Sequence, residues 1–390
     1  MDTPLTITAS AMREINRSAI LEIIRRESPI SRTAIAERLE VSLPTVMRIV
    51  DELVAEGFVR LQGEKEWSGS RRRPLIEFNP GESVVLGIDL GTSSFYGAIS
   101  DLGGSVVDES SLPGQGPNTE ENYDQLIALI DQLLQSPRLE GKKIRGIGVG
   151  VPGPVIHHDG RVTWAPALNW RNFPLKERLS SRYNLPLIVD NDMNLAALGE
   201  LWFGLGQNAQ NMILVTVTTG IGAGIIIDRA LYRGSNDASG EIGNMLPGRE
   251  FLGKSHGDFG ALETRASLSG LLQRAREQYL IKEIRPEDIF RAASREEPFA
   301  GQLVEEMIDH LAVTLVNLIV SFDPDLIILH GGLAQYSNYL LKPILDRVQS
   351  SVAVMPKILV TQLDRKAVVM GAVTNVLHNT TNFYFVRKLS

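Results

Sequence analysis

Cysteine is missing from this chain of 390 residues, so neither disulfide bonds nor thiolate catalysis contributes to what it does. The sequence also lacks an apolar run of 18 residues and a basic-then-apolar segment near its start. A membrane-spanning helix needs about 20 predominantly apolar residues, and a secretory signal needs the second pattern. We therefore expect a cytoplasmic protein without a membrane span.

Length and charge indicate two or three domains with different surfaces. A chain of 390 residues with 43% hydrophobic residues is too long for one small core, and its apolar residues are spread throughout. The net charge is −7, but the first 80 residues carry 12 basic and 12 acidic side chains, so the acidic excess lies after them. A local cation cluster stands in this neutral part, at Arg71, Arg72 and Arg73. This distribution permits phosphate contacts by the N-terminal part.

The first 80 residues follow the pattern of a winged helix-turn-helix. Apolar spacing predicts a helix over residues 13–27, and Ser31 is placed to cap a short second helix. A third helix is predicted to begin after another cap, Ser42. Two short strands follow, Phe58–Gln62 and Leu75–Phe78, joined by a polar loop rich in glycine and arginine.

The third helix carries the residues that we expect to meet DNA. Its apolar stripe from Val46 to Leu53 faces the core of the module. The opposite face, where such helices meet base edges, presents Ser42, Thr45 and Arg48. The loop arginines, Arg71–Arg73, would contact phosphates or the minor groove. The alternative is a protein-interaction or dimerisation module in which Arg48 and the loop arginines are solvated surface charges.

After residue 80 the pattern changes to alternating strands and helices. Strands are predicted at Val84–Leu90 and Phe95–Ser100 with a tight turn between them. The same strand–turn–strand pattern returns at Met212–Thr218 and Ala223–Asp228. We interpret this as an internal duplication, with one copy in each of two lobes.

Glycine turns and carboxylates stand at the ends of the predicted strands. One turn follows Asp89, and another follows the strand at Met212–Thr218. Such turns offer backbone N–H groups to phosphates, although a tight hairpin also needs glycine for its own geometry. Asp192 opens a helix, so it is either a cap or a carboxylate facing hydroxyl groups, as general base or as acceptor. Glu241 and Glu263 suit the same polyhydroxylated ligand, unless they are isolated surface charges.

Six stretches, taken in this order, resemble the ROK family, which groups bacterial sugar repressors and sugar kinases. They are Gly87–Thr92, Gly148–Pro154, Val189–Glu200, Thr218–Gly224, Ser239–Gly243 and Ile327–Gly332. The module at about 13–80 resembles that of the repressor branch, and residues 84–380 resemble the actin-like kinase core.

The resemblance implies a sugar cleft between two lobes, with Asp192 at the position of the kinase base. The sugar-binding positions are Gly153, Asn191, Asp192, Glu241, Asn244 and Glu263. The nucleotide-binding positions are Asp89, Gly91, Thr92, Thr219, Gly220, Gly222, Gly331 and Gly332. Family members assemble as dimers or tetramers, which implies the same for this chain.

Three departures from the family pattern change these expectations. The family often holds a structural zinc with one histidine and three cysteines, and those positions here are Asn244, Lys254, His256 and Ala261. We therefore predict no zinc, although the amide of Asn244 suits a sugar hydroxyl. Thr92 replaces a glycine and brings a side chain where backbone approaches phosphate, which weighs against ATP and magnesium as cofactors. Ala167 replaces an asparagine of the sugar motif, so the sugar stays open.

We therefore expect an α/β chain in which a winged helix-turn-helix, residues 1–80, precedes a two-lobed actin-like (ribonuclease H-like) fold. Lobe 1 is predicted over 81–192 with the C-terminal helix 366–380, and lobe 2, for sugar binding and oligomerisation, over 193–365. The predicted function is a sugar-responsive regulator, a repressor rather than an enzyme, that binds double-stranded operator DNA as a homodimer or homotetramer. The alternatives are an ATP-dependent sugar kinase with a DNA-binding head and a carbohydrate-binding adaptor.

Overall fold

Three parts follow one another along the chain: a small N-terminal module and two α/β lobes. The structure, a computed structural model, describes residues 9–62, 74–279 and 283–380. No helix within these ranges combines the length and the apolar character that crossing a bilayer requires. The predicted division at residue 80 lies between the module's second strand and the first strand of lobe 1.

The N-terminal module has three helices and a two-stranded sheet. Its elements are α1 (Ala9–Glu27), α2 (Arg32–Leu39), α3 (Leu43–Ala55), β1 (Val59–Gln62) and β2 (Leu75–Phe78). The predicted stripe of α3 is completely buried at Val46, Ile49, Val50 and Leu53. β1 and β2 pair antiparallel, and Ile30 adds a bridge to Ile76. This is the predicted winged arrangement, with the sheet closing the core over α3.

The two predicted helix caps have different outcomes. The Ser31 hydroxyl accepts a hydrogen bond from the Ala34 backbone N–H at 3.2 Å, as expected. Ser42 stands directly before α3, but its hydroxyl lies 2.8 Å from the hydroxyl of Thr45 and caps no backbone N–H. The predicted side-chain cap at Ser42 is therefore wrong. Pro44 removes one of the N–H donors that a cap serves, and Thr45 supplies a competing hydroxyl.

Lobe 1 is a five-stranded sheet with a small second sheet beside it. The elements are β3 (Ser83–Leu90), β4 (Ser94–Asp101), β5 (Val106–Pro113), α4 (Thr119–Leu134), β6 (Lys143–Val151), β7 (Val155–Ile156), β8 (Arg161–Ala165), β9 (Trp170–Phe173), α5 (Leu175–Ser180) and β10 (Leu187–Asn191). The main sheet has the order β10-β6-β3-β4-β5, and β7-β8-β9 form the small sheet.

Lobe 2 has a second five-stranded sheet covered by helices. The elements are α6 (Asp192–Phe203), β11 (Met212–Val217), β12 (Ile221–Ile227), β13 (Ala230–Leu231), α7 (Glu263–Ala266), α8 (Leu268–Tyr279), α9 (Pro286–Ser294), α10 (Pro298–Phe322), β14 (Leu326–Gly331), α11 (Gly332–Gln335), α12 (Ser337–Gln349) and β15 (Lys357–Val360). A further helix, α13 (Lys366–Thr380), follows β15 and packs on strands of lobe 1. The sheet order is β13-β12-β11-β14-β15.

The two main sheets follow the same plan, which confirms the predicted duplication. In each sheet, three strands form an antiparallel meander and two further strands add in parallel beside its first strand. The sequence patterns did not predict β5, β15 or the small sheet. β5 and β15 are edge strands with few buried side chains, and β7–β9 are only 2 to 5 residues long. Such segments lack the sustained apolar alternation that marks a strand.

Two helices join the lobes. α6 leads from lobe 1 into lobe 2, and α13 returns from lobe 2 to pack on α6, β3 and β6. The helix backbones come so close that a Cβ atom on Gly371 would lie 1.7 Å from the Leu195 carbonyl oxygen. The absence of a side chain at this glycine therefore permits the tight crossing.

The N-terminal module packs directly against lobe 1 and against the two helices that join the lobes. Arg145 of β6 donates to the Glu56 carbonyl oxygen, and its guanidinium lies 4.3 Å from the centre of the Phe58 ring. Arg25 of α1 lies 4.7 Å from the ring of Trp202 on α6. Buried residues of the module and of α6 and α13 belong to one continuous hydrophobic cluster. A movement of these helices therefore acts directly on the module.

Candidate ligand cleft and nucleic-acid interface

Residues from both lobes meet at one edge of the lobe 1 sheet. β3, β6 and β10 run parallel, so Asp89 of β3 and Asn191 at the end of β10 lie at the same edge. Asp192 follows immediately as the first residue of α6. From lobe 2, Glu241 lies in the loop after β13, and Glu263 begins α7. The charges of Asp89 and Glu241 both act on Asp192, so the predicted carboxylates form one electrostatic cluster.

Three carboxyl groups of this cluster, those of Asp89, Asp192 and Glu241, have pKa values above their ordinary ones. Burial, and next the charge of Asp89, holds the pKa of Asp192 well above its usual value. Burial and the neighbouring Glu263 raise the pKa of Glu241 to about 7. Burial raises the pKa of Asp89 to about 6, against the opposing charge of Arg365. Groups that are partly protonated near neutral pH donate as well as accept hydrogen bonds, which suits the hydroxyl groups of a carbohydrate.

Asn191, and not Asp192, caps α6. The Asn191 side-chain oxygen accepts from the backbone N–H groups of Met193 and Asn194 at 2.9 and 3.0 Å. Its amide nitrogen donates to the Gly153 carbonyl oxygen at 3.1 Å. Asp192 accepts from the Met193 backbone N–H at 2.9 Å. The interpretation of Asp192 as a simple helix cap is therefore wrong, because Asn191 already fills that role.

Gly153 supports the cleft through its backbone. Its φ is +115°, and a Cβ atom would lie 2.2 Å from the Trp164 carbonyl oxygen. A side chain is therefore excluded on two grounds. The Gly153 carbonyl in turn anchors Asn191, so its contribution is to position the start of α6.

Glu263 and Asn244 occupy different settings within lobe 2. The two oxygens of Glu263 accept from Ile221 N at 2.8 Å and Gly260 N at 2.7 Å, so this carboxylate braces the start of β12. Any sugar contact must use its remaining lone pairs. Asn244 is exposed, and its side chain forms no hydrogen bond with the described residues.

A groove of about 450 Å³ opens beside Glu241. It is lined only by residues of lobe 2, including Ile225, Tyr232, Leu318 and Phe322. No residue of lobe 1 lines it, so it is a neighbour of the interlobe cleft and not the cleft itself.

The two predicted phosphate turns face each other across the cleft. Thr92 follows β3 and Thr219 follows β11, and their hydroxyl groups lie 3.5 Å apart. Arg365 donates to the hydroxyl and carbonyl oxygens of Ser94 at 2.9 and 3.3 Å, and its charge acts on Asp89. The other predicted residues of this region lie on these turns or at the adjoining ends of β12, β14 and α11: Gly91, Gly220, Gly222, Gly331 and Gly332. The space between the turns is thus bridged by protein groups.

The residues at the family's zinc positions do not fit a zinc ion. Lys254 and Asn244 are exposed, and Ala261 is buried without a donor atom. His256 is the single imidazole, and its ring lies 5.3 Å from that of Phe251. Tetrahedral zinc needs four donors, which this set does not supply.

The predicted DNA-reading face of α3 is accessible. Ser42 and Arg48 are exposed, Thr45 is partly exposed, and Arg48 forms no ion pair with any described residue. Met47 beside them is 47% exposed. The wing arginines Arg71–Arg73 lie outside the described residues, so their predicted role remains a prediction.

Sequence reasoning missed two arginines at the cleft. Arg365 was not singled out because a lone arginine before a helix carries no local signal. Arg233 pairs with Asp190 through hydrogen bonds of 2.6 and 2.8 Å, although 43 residues separate them. The sequence indicated only that Asp190 directly precedes Asn191, a predicted sugar-binding residue.

A family model described as the ROK family matches residues 85–378. The chain belongs to the ROK family. A second model, described as winged helix-turn-helix DNA-binding, matches residues 13–60 of this ROK chain. These matches confirm the resemblance and the predicted fold class.

Similar proteins include repressors and kinases. The xylose repressor of Caldicellulosiruptor bescii is 30% identical over 389 residues, covering 95% of this chain and 98% of the relative. A ROK family transcriptional regulator, described as a homologue of the E. coli MLC protein, superposes with a TM-score of 0.81 at 24% identity, covering 95% and 97% of the two chains. A ROK family glucokinase from Streptomyces griseus, in complex with glucose and AMPPNP, gives 0.65 at 27% identity, covering 75% of this chain and 99% of that one.

Proposed function

We propose that this chain is a sugar-responsive repressor that binds operator DNA through its N-terminal module and a sugar in the interlobe cleft. The observation that carries the proposal is the combination of a winged helix-turn-helix with an acidic cleft in one packed unit. The full-length similarity to a xylose repressor supports it and makes D-xylose the first sugar to test.

The cleft supports recognition of a sugar better than phosphorylation of one. Burial, and next the charge of Asp89, raises the pKa of Asp192, a direction that fits a carboxyl bound to sugar hydroxyls as well as a general base. The hydroxyl groups of Thr92 and Thr219, 3.5 Å apart, place side chains between the two glycine turns that would have to bind phosphate. Arg365 supplies a protein cation near Asp89, where a kinase would place the charge of a metal ion. We therefore propose a regulator without phosphotransfer, without zinc, and without ATP as cofactor.

A repressor of this kind needs the sugar to bind the DNA-free arrangement more tightly than the DNA-bound one. We further propose that two copies, each with one DNA module, bind a pseudo-palindromic operator as a symmetric dimer. Mass photometry with and without duplex tests the stoichiometry.

The function is tested by fluorescence anisotropy with a duplex from upstream of the protein's own gene. D-Xylose, D-glucose and N-acetyl-D-glucosamine are added in turn. We expect one of them to weaken DNA binding by about 5- to 150-fold, the usual range of allosteric coupling. Asp192→Asn should abolish that response, and Asp124→Asn, an exposed carboxylate on α4, should retain it.

A coupled ATP assay over the same sugars tests the kinase alternative. Turnover of about 1 per second or more that disappears in Asp192→Asn would contradict the proposed absence of phosphotransfer. A lack of both DNA binding and any sugar response would contradict the proposed function as a whole.

A further inference from the structure

The loop between β13 and Glu241 ties lobe 2 to lobe 1 at two points. We propose that Arg233 and Asp237 of this loop form an interlobe latch that holds the cleft closed, positions Glu241, and transmits cleft closure to the DNA module. This inference rests on the proposed function, but its first measurement needs neither sugar nor DNA.

The first contact is a buried, two-pronged ion pair. Arg233 donates to both oxygens of Asp190, at 2.8 and 2.6 Å, and the side chains are 18% and 1% exposed. Asp190 lies at the end of β10 in lobe 1, and Arg233 follows β13 in lobe 2. A planar guanidinium matches a carboxylate in this geometry, and a lysine does not. Opening the cleft would separate both hydrogen bonds together.

The second contact lies four residues further along the same loop. An oxygen of Asp237 accepts from the His157 backbone N–H at 3.0 Å, and His157 belongs to the β7–β8 region of lobe 1. Within the loop, the Ser239 hydroxyl donates to the Tyr232 carbonyl oxygen at 2.7 Å. The loop is therefore braced internally, fastened at two points, and followed directly by Glu241.

Arg233 supplies the positive charge of the latch. Burial and the charge of Arg233 lower the pKa of His157, and burial, His157 and Arg233 lower that of His378. Both imidazoles are therefore neutral near pH 7. The acid groups Asp190 and Asp237 together favour the charged form of Arg233.

The lobe 1 anchor of the latch is connected to the DNA module. Asn375 of α13 donates to Asp190 at 2.8 Å. The preceding residue, Thr374, lines one crevice together with Leu21 and Arg25 of α1. A movement of Asp190 would therefore be transmitted to α13 by the Asn375 hydrogen bond, and from α13 to α1 by their packing.

The latch is tested by measuring the distance between the lobes. Because the chain has no cysteine, spin labels are attached at two introduced cysteines, Ala128→Cys on α4 and Gln349→Cys on α12, both exposed in the wild type. We expect Arg233→Lys to move the distance distribution to longer values and to broaden it. Asp237→Gly removes the second contact and leaves the buried Arg233–Asp190 pair intact. Glycine also adopts the φ of +53° found at this position. We therefore expect a smaller increase in the interlobe distance.

Arg178→Lys is the matched control. Arg178 binds Glu120 through two hydrogen bonds of 3.0 and 2.8 Å, but both residues belong to lobe 1. The same substitution there should leave the interlobe distance unchanged. If Arg233→Lys and Asp237→Gly both fold, as judged by circular dichroism, and both retain the wild-type distances, the latch is refuted.

Sugar and DNA measurements separate this inference from the proposed function. With D-xylose or another responsive sugar, we expect Arg233→Lys to raise the sugar Kd at least about tenfold and to reduce the sugar-dependent change in DNA affinity. Unchanged interlobe distances with an intact sugar response would overturn the latch and leave the repressor proposal standing. Longer interlobe distances in Arg233→Lys, together with a wild type that shows no sugar response, would support the latch and count against the repressor.

Discussion

Replacing Glu241 by glutamine is expected to stabilise the protein more at pH 8 than at pH 5. Burial and Glu263 raise the pKa of the Glu241 carboxyl from 4.5 to about 7. For an acid whose pKa is raised in the folded state, folding takes up a proton, so the free energy of unfolding falls as pH rises between the two pKa values. Glutamine has a similar shape and carries no charge at any pH in this range.

The size of the effect follows from the shift. Each pKa unit corresponds to about 1.4 kcal/mol, so the ionised Glu241 costs about 3 kcal/mol above pH 7. Part of this cost is already present at pH 5, because the unfolded carboxyl is then largely ionised. The advantage of Glu241→Gln should therefore grow by about 2 to 3 kcal/mol between pH 5 and pH 8.

Equilibrium urea unfolding, followed by tryptophan fluorescence at constant ionic strength, measures this difference. Asp89 and Asp192 also have raised pKa values and contribute to the pH dependence of the wild type. The comparison with the variant therefore measures Glu241 together with its effect on Asp192. Glu140→Gln, at an exposed position of lobe 1, is the control and should show a constant difference. If the stability gain of Glu241→Gln is the same at pH 5 and pH 8, the carboxyl is not buried in an acidic cleft, and the proposed electrostatic cluster is refuted.

Three further predictions concern the module and the cleft. Leu53→Ala should lower the free energy of unfolding of the N-terminal module by about 2 to 5 kcal/mol, because Leu53 is fully buried. An unchanged melting temperature would contradict the place of Leu53 in the core. Arg48→Ala should relax sequence preference by about 1 to 3 kcal/mol at one base pair, measured by anisotropy with single-base operator variants, and a uniform loss on all DNA would instead indicate phosphate contact. Gly153→Ala should destabilise by about 2 kcal/mol or more, because its Cβ meets the Trp164 carbonyl, and a melting temperature equal to that of the wild type would argue against the tight turn.

The positions of the helices in the N-terminal module could be predicted because local patterns determine them. The stripe of α3 repeats at helical spacing, and burial of all four of its residues confirms that reading. The cap at Ser31 was predictable for the same reason, since a cap acts on a backbone N–H three residues away. Ser42 shows the limit of such rules, because its hydroxyl is hydrogen-bonded to the Thr45 hydroxyl and not to a backbone N–H of α3.

The lobes were predictable as a repeated strand–turn–strand pattern, and the order of the motifs identified the family. The parallel strand pairing within each lobe, the edge strands and the small sheet were not predictable, because they depend on residues far apart in sequence. Asp192 illustrates the difference. Its place at the start of a helix was visible in the sequence, but Asn191 is the helix cap. Burial, and next the charges of Asp89 and Glu241, raise the pKa of the Asp192 carboxyl.

Local sequence patterns were sufficient to identify the N-terminal module, the two lobes, and the carboxylates and glycine turns that each lobe carries. The tertiary structure alone decided which of them meet. The carboxylate oxygens of Glu263 accept hydrogen bonds from backbone N–H groups of a strand and a loop. Arg233 of lobe 2 donates a hydrogen bond to Asp190 of lobe 1. The physical reason is that hydrogen bonds and buried charges depend on distance in space, and local spacing reports that distance only within one helix, strand or turn.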